Sequence, residues 1–352
     1  MRILHTSDLH LNSKMNSKLG KEKAAERKRE LLLNFKRMTE IAKALGCRAF
    51  IIAGDLFDTE KISVSVRKSV LDVISACKET TFLYLPGNHE KDAVTNGDIP
   101  ENLLVFEKEW TYFLIDGVAF AGRRETERGM FKSLEKPLGA EKLIAVLHGE
   151  LQDKSDVNGK IGFKELKETE IDYLALGHYH SFSKAEFDRT RYAVYSGTPL
   201  GRGFDETGDT GYVILDVGVN VNFTFQKSRG RRLLEREIDI SGVNSTPELC
   251  EKILHACGDI PNSELLRVTL IGGRAPELKL DLDYAEKRLS DKFYYFEIKD
   301  NSRLSISAED YANDKSLKGE FIRLVLLDST LSDKEKDDII SVGISALMGE
   351  NI

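Results

Sequence analysis

Short apolar runs that stop abruptly at polar residues recur along the chain. Residues 2–6 break at Ser7 and lead into Asp8-Leu9-His10, and residues 48–53 stop at Gly54-Asp55-Leu56-Phe57-Asp58. A third run ends in Pro86-Gly87-Asn88-His89-Glu90, a fourth in His148-Gly149-Glu150, and a fifth in Gly177-His178-Tyr179-His180. Runs this short and this continuously apolar predict strands buried on both faces. Between the first three, Leu31, Leu32, Phe35, Met38, Ile41, Ala42 and Leu45, and then Val66, Val70, Val73, Ile74 and Cys77, recur at helical spacing. Strand, helix, strand predicts a parallel βαβ unit. Open α/β sheets carry their chemistry at the C-terminal strand edges, where all five polar clusters fall.

Residues 110–122 predict a hairpin turning at Asp116-Gly117. Residues 192–195, 211–217, 222–227 and 233–240 alternate and predict antiparallel strands of a second sheet packed on the first, a layered α/β sandwich. The basic linker 227–232 and the Ser/Gly/Pro-containing stretch after residue 240 place a boundary near Ser241, giving domains 1–240 and 241–352. In the second, residues 247–257 predict a helix capped by Thr246, residues 265–271 and 294–298 strands, and residues 284–289 a helix between them. Residues 319–348 predict two helices split at Ser329, Ser332 and Asp333. This is a small α+β module.

Composition changes this picture little. The chain has 352 residues, 41% hydrophobic and 31% charged, enough for a substantial core. No apolar run approaches the roughly 18 residues of a membrane span, and no cleavable signal pattern opens the sequence, so a cytoplasmic protein without membrane partners is expected. Cys47, Cys77, Cys250 and Cys257 form no CxxC pair, which argues against a disulfide framework or a zinc ribbon. The net charge of -7 does not favour nucleic acid, yet a local basic track remains compatible with it. The lysine-rich residues 11–29 read as a solvated loop and helix face, with a phosphate-tracking edge as the alternative.

The histidines matter more. Of the seven, His10, His89, His148, His178 and His180 sit at strand edges beside Asp8, Asp55 and Asn88. His5 lies inside the first strand and His255 in a helix, which suits core roles. A single strand-end Asp is ordinarily a turn or cap residue, and a single His ordinarily satisfies a local hydrogen bond. Five at successive edges point to metal. Imidazole, carboxylate and amide donors suit manganese, iron or zinc better than calcium. The ligands are too many for one ion, and two ions roughly 3.5 to 4 Å apart sharing a carboxylate can clamp the oxygens of a phosphoryl transfer.

DLH at Asp8, GDLFD at Gly54, GNHE at Gly87, His148-Gly149 and GHYH at Gly177 resemble, in order, the motif set of calcineurin-like metallophosphoesterases. The DLHL and GDLFD stretches, the segment 195–208 (YSGTPLGRGFDETG) and the C-terminal ending resemble in particular the SbcD and YhaO-type DNA repair exonucleases. The resemblance implies a two-sheet αββα metallophosphoesterase sandwich with a small C-terminal α+β capping domain. It implies that Asp8, His10 and His180 hold one ion, that Asn88, His148 and His178 hold the other, and that Asp55 bridges. His89 then faces the substrate as acid or transition-state stabiliser, with Asp58 and Glu90 orienting imidazoles. Asp58 as a helix cap is an equal account.

It further implies two Mn2+ ions, with Fe2+ or Zn2+ as alternatives, and a metal-dependent phosphodiesterase acting on DNA as a 3′-5′ exonuclease, with endonuclease activity a further possibility. A small-molecule phosphodiesterase or phosphatase is the alternative. The implied partners are DNA, contacted by Arg202, Arg229, Arg231 and Arg232, an SbcC/YhaN-type coiled-coil ATPase, and a second copy of the chain. Ile339, Ile340, Ile344, Leu347 and Met348 of the last helix are expected to pack on the capping domain itself.

Overall fold

The computed structural model describes residues 1–15, 19–87, 90, 94, 97–152, 160–275, 278–304, 311 and 313–347. It divides into two compact units, Met1–Arg232 and Leu233–Ile352. The first contains, in chain order, β1 (Arg2–Thr6), α1 (Lys21–Ala44), β2 (Ala49–Ala53), α2 (Val64–Ser75), β3 (Thr81–Leu85), β4 (Leu103–Val105), β5 (Thr111–Ile115), β6 (Val118–Gly122), β7 (Lys142–His148), β8 (Glu150–Gln152) and β9 (Lys160–Gly162). The one-turn α3 (Phe163–Leu166), β10 (Tyr173–Gly177), β11 (Ser183–Asp188), β12 (Arg191–Tyr195), β13 (Gly211–Val217) and β14 (Val221–Lys227) complete it.

Two six-stranded sheets result, ordered β14-β13-β1-β2-β3-β4 and β11-β12-β10-β7-β6-β5. The continuous apolar runs have a simple cause. Alternate residues of each central strand face opposite ways, and both directions are buried. Ala49, Ile51 and Ala53 of β2 join Phe120, Ile144, Val146 and Ala175 in a core between the sheets. Phe50 and Ile52 of the same strand instead meet Leu31, Phe35, Met38 and Ala42 of α1 and Val70 and Ile74 of α2. Among the described residues, the outer face of the second sheet is covered by Met130, Phe131, Ile161 and Leu166, from short elements, so the second helical layer of the expected αββα sandwich is there reduced to single turns. The hairpin at Asp116-Gly117 forms as expected, with Ile115 opposite Val118. Strands β13 and β14, expected in the second sheet, extend the first beside β1, and β12, expected to be antiparallel, runs parallel to β10 and antiparallel to β11. The latter, SKAEFD, is polar and mostly exposed, which hid it from any reading of apolar pattern.

The second unit holds β15 (Leu233–Asp239), α4 (Thr246–Ala256), β16 (Leu265–Ile271), β17 (Gly273–Arg274), α5 (Leu282–Leu289), β18 (Tyr295–Asp300), β19 (Arg303–Leu304), α6 (Leu317–Leu327) and α7 (Asp333–Leu347). The boundary falls at Arg232/Leu233 and not at Ser241, because β15 pairs in parallel with β16 over its whole length. That pairing also corrects the antiparallel expectation for residues 233–240. Helices α4 and α5 are the crossovers that parallel strands require, and they bury Leu249, Ile253, Ala285 and Leu289 against Ile238, Val268 and Ile298. Ser245, one residue before the expected cap, accepts from the Glu248 N–H and caps α4. Ile340 and Ile344 of α7 pack with Ile322 and Val325 of α6 and with Tyr311. The last helix thus closes on its neighbour in a small core of its own, leaving Ile339 and Leu347 exposed; Met348 lies outside the described residues.

Candidate metal centre

Strands β1, β2, β7 and β10 end side by side, and their backbones continue to pair past the strand ends. The Asp8 N–H donates to the Gly54 carbonyl at 3.1 Å and the His10 N–H to the Asp55 carbonyl at 2.9 Å, while His148 is register partner to Gly177. Two side-chain clusters follow, Asp8 with His10 and His180, and Asp8 with Asp55 and His148, each with donor atoms within 4.8 Å of one another. Asp55 Oδ2 lies 3.7 Å from His10 Nε2 and 3.4 Å from His148 Nε2, between the two. The ring of His178 stands edge-on to His148 with centroids 5.6 Å apart, and the His178 N–H reaches both Asp8 carboxylate oxygens at 3.1 Å. Asn88 and His89 lie outside the described residues.

Close approach sets the local sequence. A Cβ on Gly87 would stand 2.0 Å from Asp55 Oδ1, and one on Gly54 2.0 Å from His148 Nδ1. Asp8, His10, Asp55 and His178 all take positive φ, at 51°, 43°, 49° and 112°. Non-glycine residues pay about 1–3 kcal/mol for such backbones, which cluster where function requires them.

The donors are individually positioned. Asp8 is fully buried, its carboxylate accepting from the Ser7 hydroxyl at 2.5 Å and its carbonyl from Thr198 Oγ1 at 2.9 Å. His148 Nδ1 lies 2.9 Å from the Ala53 carbonyl and donates to it, so Nε2 carries the lone pair. That Nε2 is buried without a hydrogen-bond partner, and it faces two carboxylates. Burial opposes protonation of His148, but the nearby Asp55 and Asp8 carboxylates outweigh it and raise the pKa to about 9. A cluster that draws a proton onto a buried imidazole is built for positive charge, and its imidazole and carboxylate donors fit a divalent cation. His5 is a contrast: wholly buried with Nδ1 3.0 Å from the Tyr173 hydroxyl, it is pushed by burial down to about 3, a neutral core imidazole.

Around the ligands the structure redistributes several roles. Asp58 Oδ1 lies 3.1 Å from His10 Nδ1, and the His10 hydrogen bond leads the causes that lower its pKa to about 2. Among the described residues the Glu90 carboxylate meets backbone rather than an imidazole: it accepts from the Leu56 N–H at 2.8 Å, the Phe57 N–H at 2.6 Å and the Gly87 N–H at 3.3 Å, bracketing the loop that carries Asp55. Burial raises its pKa to about 7. Glu206, to which sequence reasoning gave no role, lies 2.9 Å from His180 Nδ1. Burial disfavours its charge, yet hydrogen bonds from His180 and Arg202 hold it at about 2. An acid four residues after an arginine was the available signal. Arg202, a sequence candidate for DNA contact, is ion-paired with Asp58 and Glu206. Arg231 is likewise paired with Glu26 and Glu30. Arg229 and Arg232 are exposed.

Comparison with known proteins agrees with this geometry. Over 316 residues, 83% of this chain and 76% of the relative, the sequence is 23% identical to an uncharacterized metallophosphoesterase, YhaO, of Bacillus subtilis (strain 168). It is 22% identical to the DNA double-strand break repair protein Mre11 of Saccharolobus solfataricus, with all of both chains covered. It is 24% identical to the protein of that name from Methanopyrus kandleri, over 72% of this chain and 62% of that one. Residues 1–182, which carry all five strand-end motifs, match the calcineurin-like phosphoesterase family, and the chain belongs to that family.

Proposed function

We propose that the protein is a two-metal phosphodiesterase acting on DNA, a manganese-dependent nuclease that shortens strands from the 3′ end in DNA repair. The observation that carries the two-metal reading is the place of Asp55 Oδ2 between His10 Nε2 and His148 Nε2. Asp8, His10 and His180 would hold one ion and Asn88, His148 and His178 the other, with Asp55 as the carboxylate shared between them. When bound, a cation pair supplies charge neutralisation at the phosphoryl group and a water nucleophile at neutral pH. The protein's own groups do the rest. Ser7 and the His178 N–H fix the Asp8 carboxylate, and the Ala53 carbonyl fixes the His148 tautomer. His89 is assigned the role of general acid, donating a proton to the leaving oxygen. DNA as substrate is supported by the break-repair function named for the Mre11 relatives.

A coiled-coil ATPase of the SbcC/YhaN type and a second copy of the chain are the proposed partners. Leu317, Leu324 and Leu327 of α6 and Val342 of α7 are more than half exposed, an apolar helical surface of the kind on which a partner helix docks. One observation favours a second reading, a small phosphodiester as substrate: Arg202 and Arg231, two of the four cations expected to track phosphates, are neutralised by the chain's own acids. The deciding experiment incubates the purified chain and Mn2+ with 5′-labelled linear duplex, alongside bis(p-nitrophenyl) phosphate. Stepwise shortening of the labelled strand establishes the 3′-end exonuclease. An intact duplex with rapid turnover of the small ester supports the second reading.

A further inference from the structure

The segment 196–206 carries no candidate ligand, yet it is tied to the metal centre at every turn. Thr198 Oγ1 donates to the Asp8 carbonyl, and from α1 Asn34 Nδ2 donates to the Pro199 carbonyl at 3.1 Å and Arg27 Nη2 to the Gly201 carbonyl at 2.7 Å. Arg27 and Asn34 are buried. The segment ends in the Arg202–Glu206 pair, where the Arg202 N–H donates to Glu206 Oε2 at 2.7 Å and Nε to Oε1 at 2.9 Å. Arg202 Nη1 then crosses to Asp58 Oδ1 at 2.8 Å. Those two carboxylates are the ones that face Nδ1 of His180 and of His10.

We propose that Arg202 is a positioning residue for one half of the metal centre, holding Asp58 and Glu206 against the rings of His10 and His180. The inference rests on the two-metal reading. A carboxylate on Nδ1 fixes the proton there, turns Nε2 to the metal and makes the ring more basic. His10 and His180 are both oriented this way, with Nε2 3.7 Å from Asp55 Oδ2 and 3.9 Å from Asp8 Oδ1 respectively. Asp58 and Glu206 come from distant parts of the chain and repel each other, and the planar fork of one guanidinium is what binds both. His148 is oriented by a backbone carbonyl instead, so the effect of Arg202 is one-sided. With its side chain 16% exposed and its donors directed at two acids, Arg202 is not presented to a phosphate backbone.

The test is Mn2+ titration of the full chain, following free and bound ion by electron paramagnetic resonance, for wild type, Arg202→Ala, Arg202→Lys and Glu206→Gln. Wild type is expected to take up two ions with the spectrum of a coupled pair. In Arg202→Ala and Glu206→Gln one ion is expected to bind about 10- to 100-fold more weakly, the range for loss of an outer partner, and the spectrum at matched Mn2+ becomes that of an isolated ion. Arg202→Lys recovers only part of the loss, because an ammonium cannot fork. Retention of both ions at wild-type affinity in Arg202→Ala overturns the proposal. If that variant does not fold by circular dichroism, Arg202→Lys decides in the same way, a weakened single ion supporting the proposal and an unchanged pair overturning it. Failure of wild type to bind a pair is a separate outcome, which overturns the two-metal reading on which the proposal stands.

Discussion

Asp8, His10, Asp55 and His178 hold backbone angles that side chains avoid, and hydrogen bonds tie them to one another and to Gly54. The arrangement puts charges where each depends on its neighbours. Asp58 and Glu206 are both depressed to about 2, below the 3.8 and 4.5 of the free groups. Acids with depressed folded pKa values contribute stability that is present above the unfolded pKa and lost as pH falls through the folded one. For chelated protein, urea midpoints are therefore expected to fall between about pH 4.5 and 2, and Glu206→Gln should fall less steeply across that window. An equal slope in the variant would remove Glu206 from the ionic network. Asp55→Asn alters the carboxylate proposed to be shared by two ions, so metal analysis is expected to find both sites weakened by more than the about 10- to 100-fold typical of an outer partner; two ions bound at full strength would end the bridging proposal. His89→Asn is expected to abolish hydrolysis with metal content unchanged, and loss of both ions would make His89 a ligand.

Elements deliver these residues because four buried strands, two from each sheet, stop at the same end of the sandwich, and that much was legible: the two faces of β1, β2, β7 and β10 are both apolar, so the runs and their polar terminations show directly in the sequence. Pairing was less legible. Leu233–Asp239 alternates like an antiparallel edge strand, yet its partner is a strand more than twenty residues later in the second unit. The contacts that orient the ligands were invisible for a related reason. Arg202 meets Asp58 across 144 residues, and nothing local to either marks the meeting, so a cation at a motif edge was read as a phosphate contact. Strand ends also explain a glycine in physical terms: Gly87 leaves room for Asp55. Gly87→Ala places a methyl 2.0 Å from Asp55 Oδ1 and is expected to cost about 1–3 kcal/mol by overpacking and to weaken Mn2+ binding. Unchanged urea stability and full metal occupancy would show that the loop simply moves aside.

At the scale of the molecule, each unit has its own apolar core, and all the described candidate ligands belong to the first. Metal bound at these candidate ligands would therefore stabilise residues 1–232. A site filled at 100 times its dissociation constant adds about 2.7 kcal/mol to the stability of whatever unfolds with it, and in a unit of this size each kcal/mol raises Tm by about 2–4 °C. Trp110 is the chain's one tryptophan. It packs on Phe131 in the first unit, with Nε1 donating to the Met130 carbonyl at 3.0 Å, so its fluorescence reports that core and not the parallel sheet of the second unit. Saturating Mn2+ is expected to raise the Trp110 melting transition by about 5–10 °C per filled site, reversibly with chelator. Amide exchange in β15, β16 and β18 should remain unaltered. A rise in protection of those strands that matches the shift at Trp110 would mean that the two units unfold as one, and a Trp110 transition indifferent to Mn2+ would mean that the strand-edge cluster does not bind it.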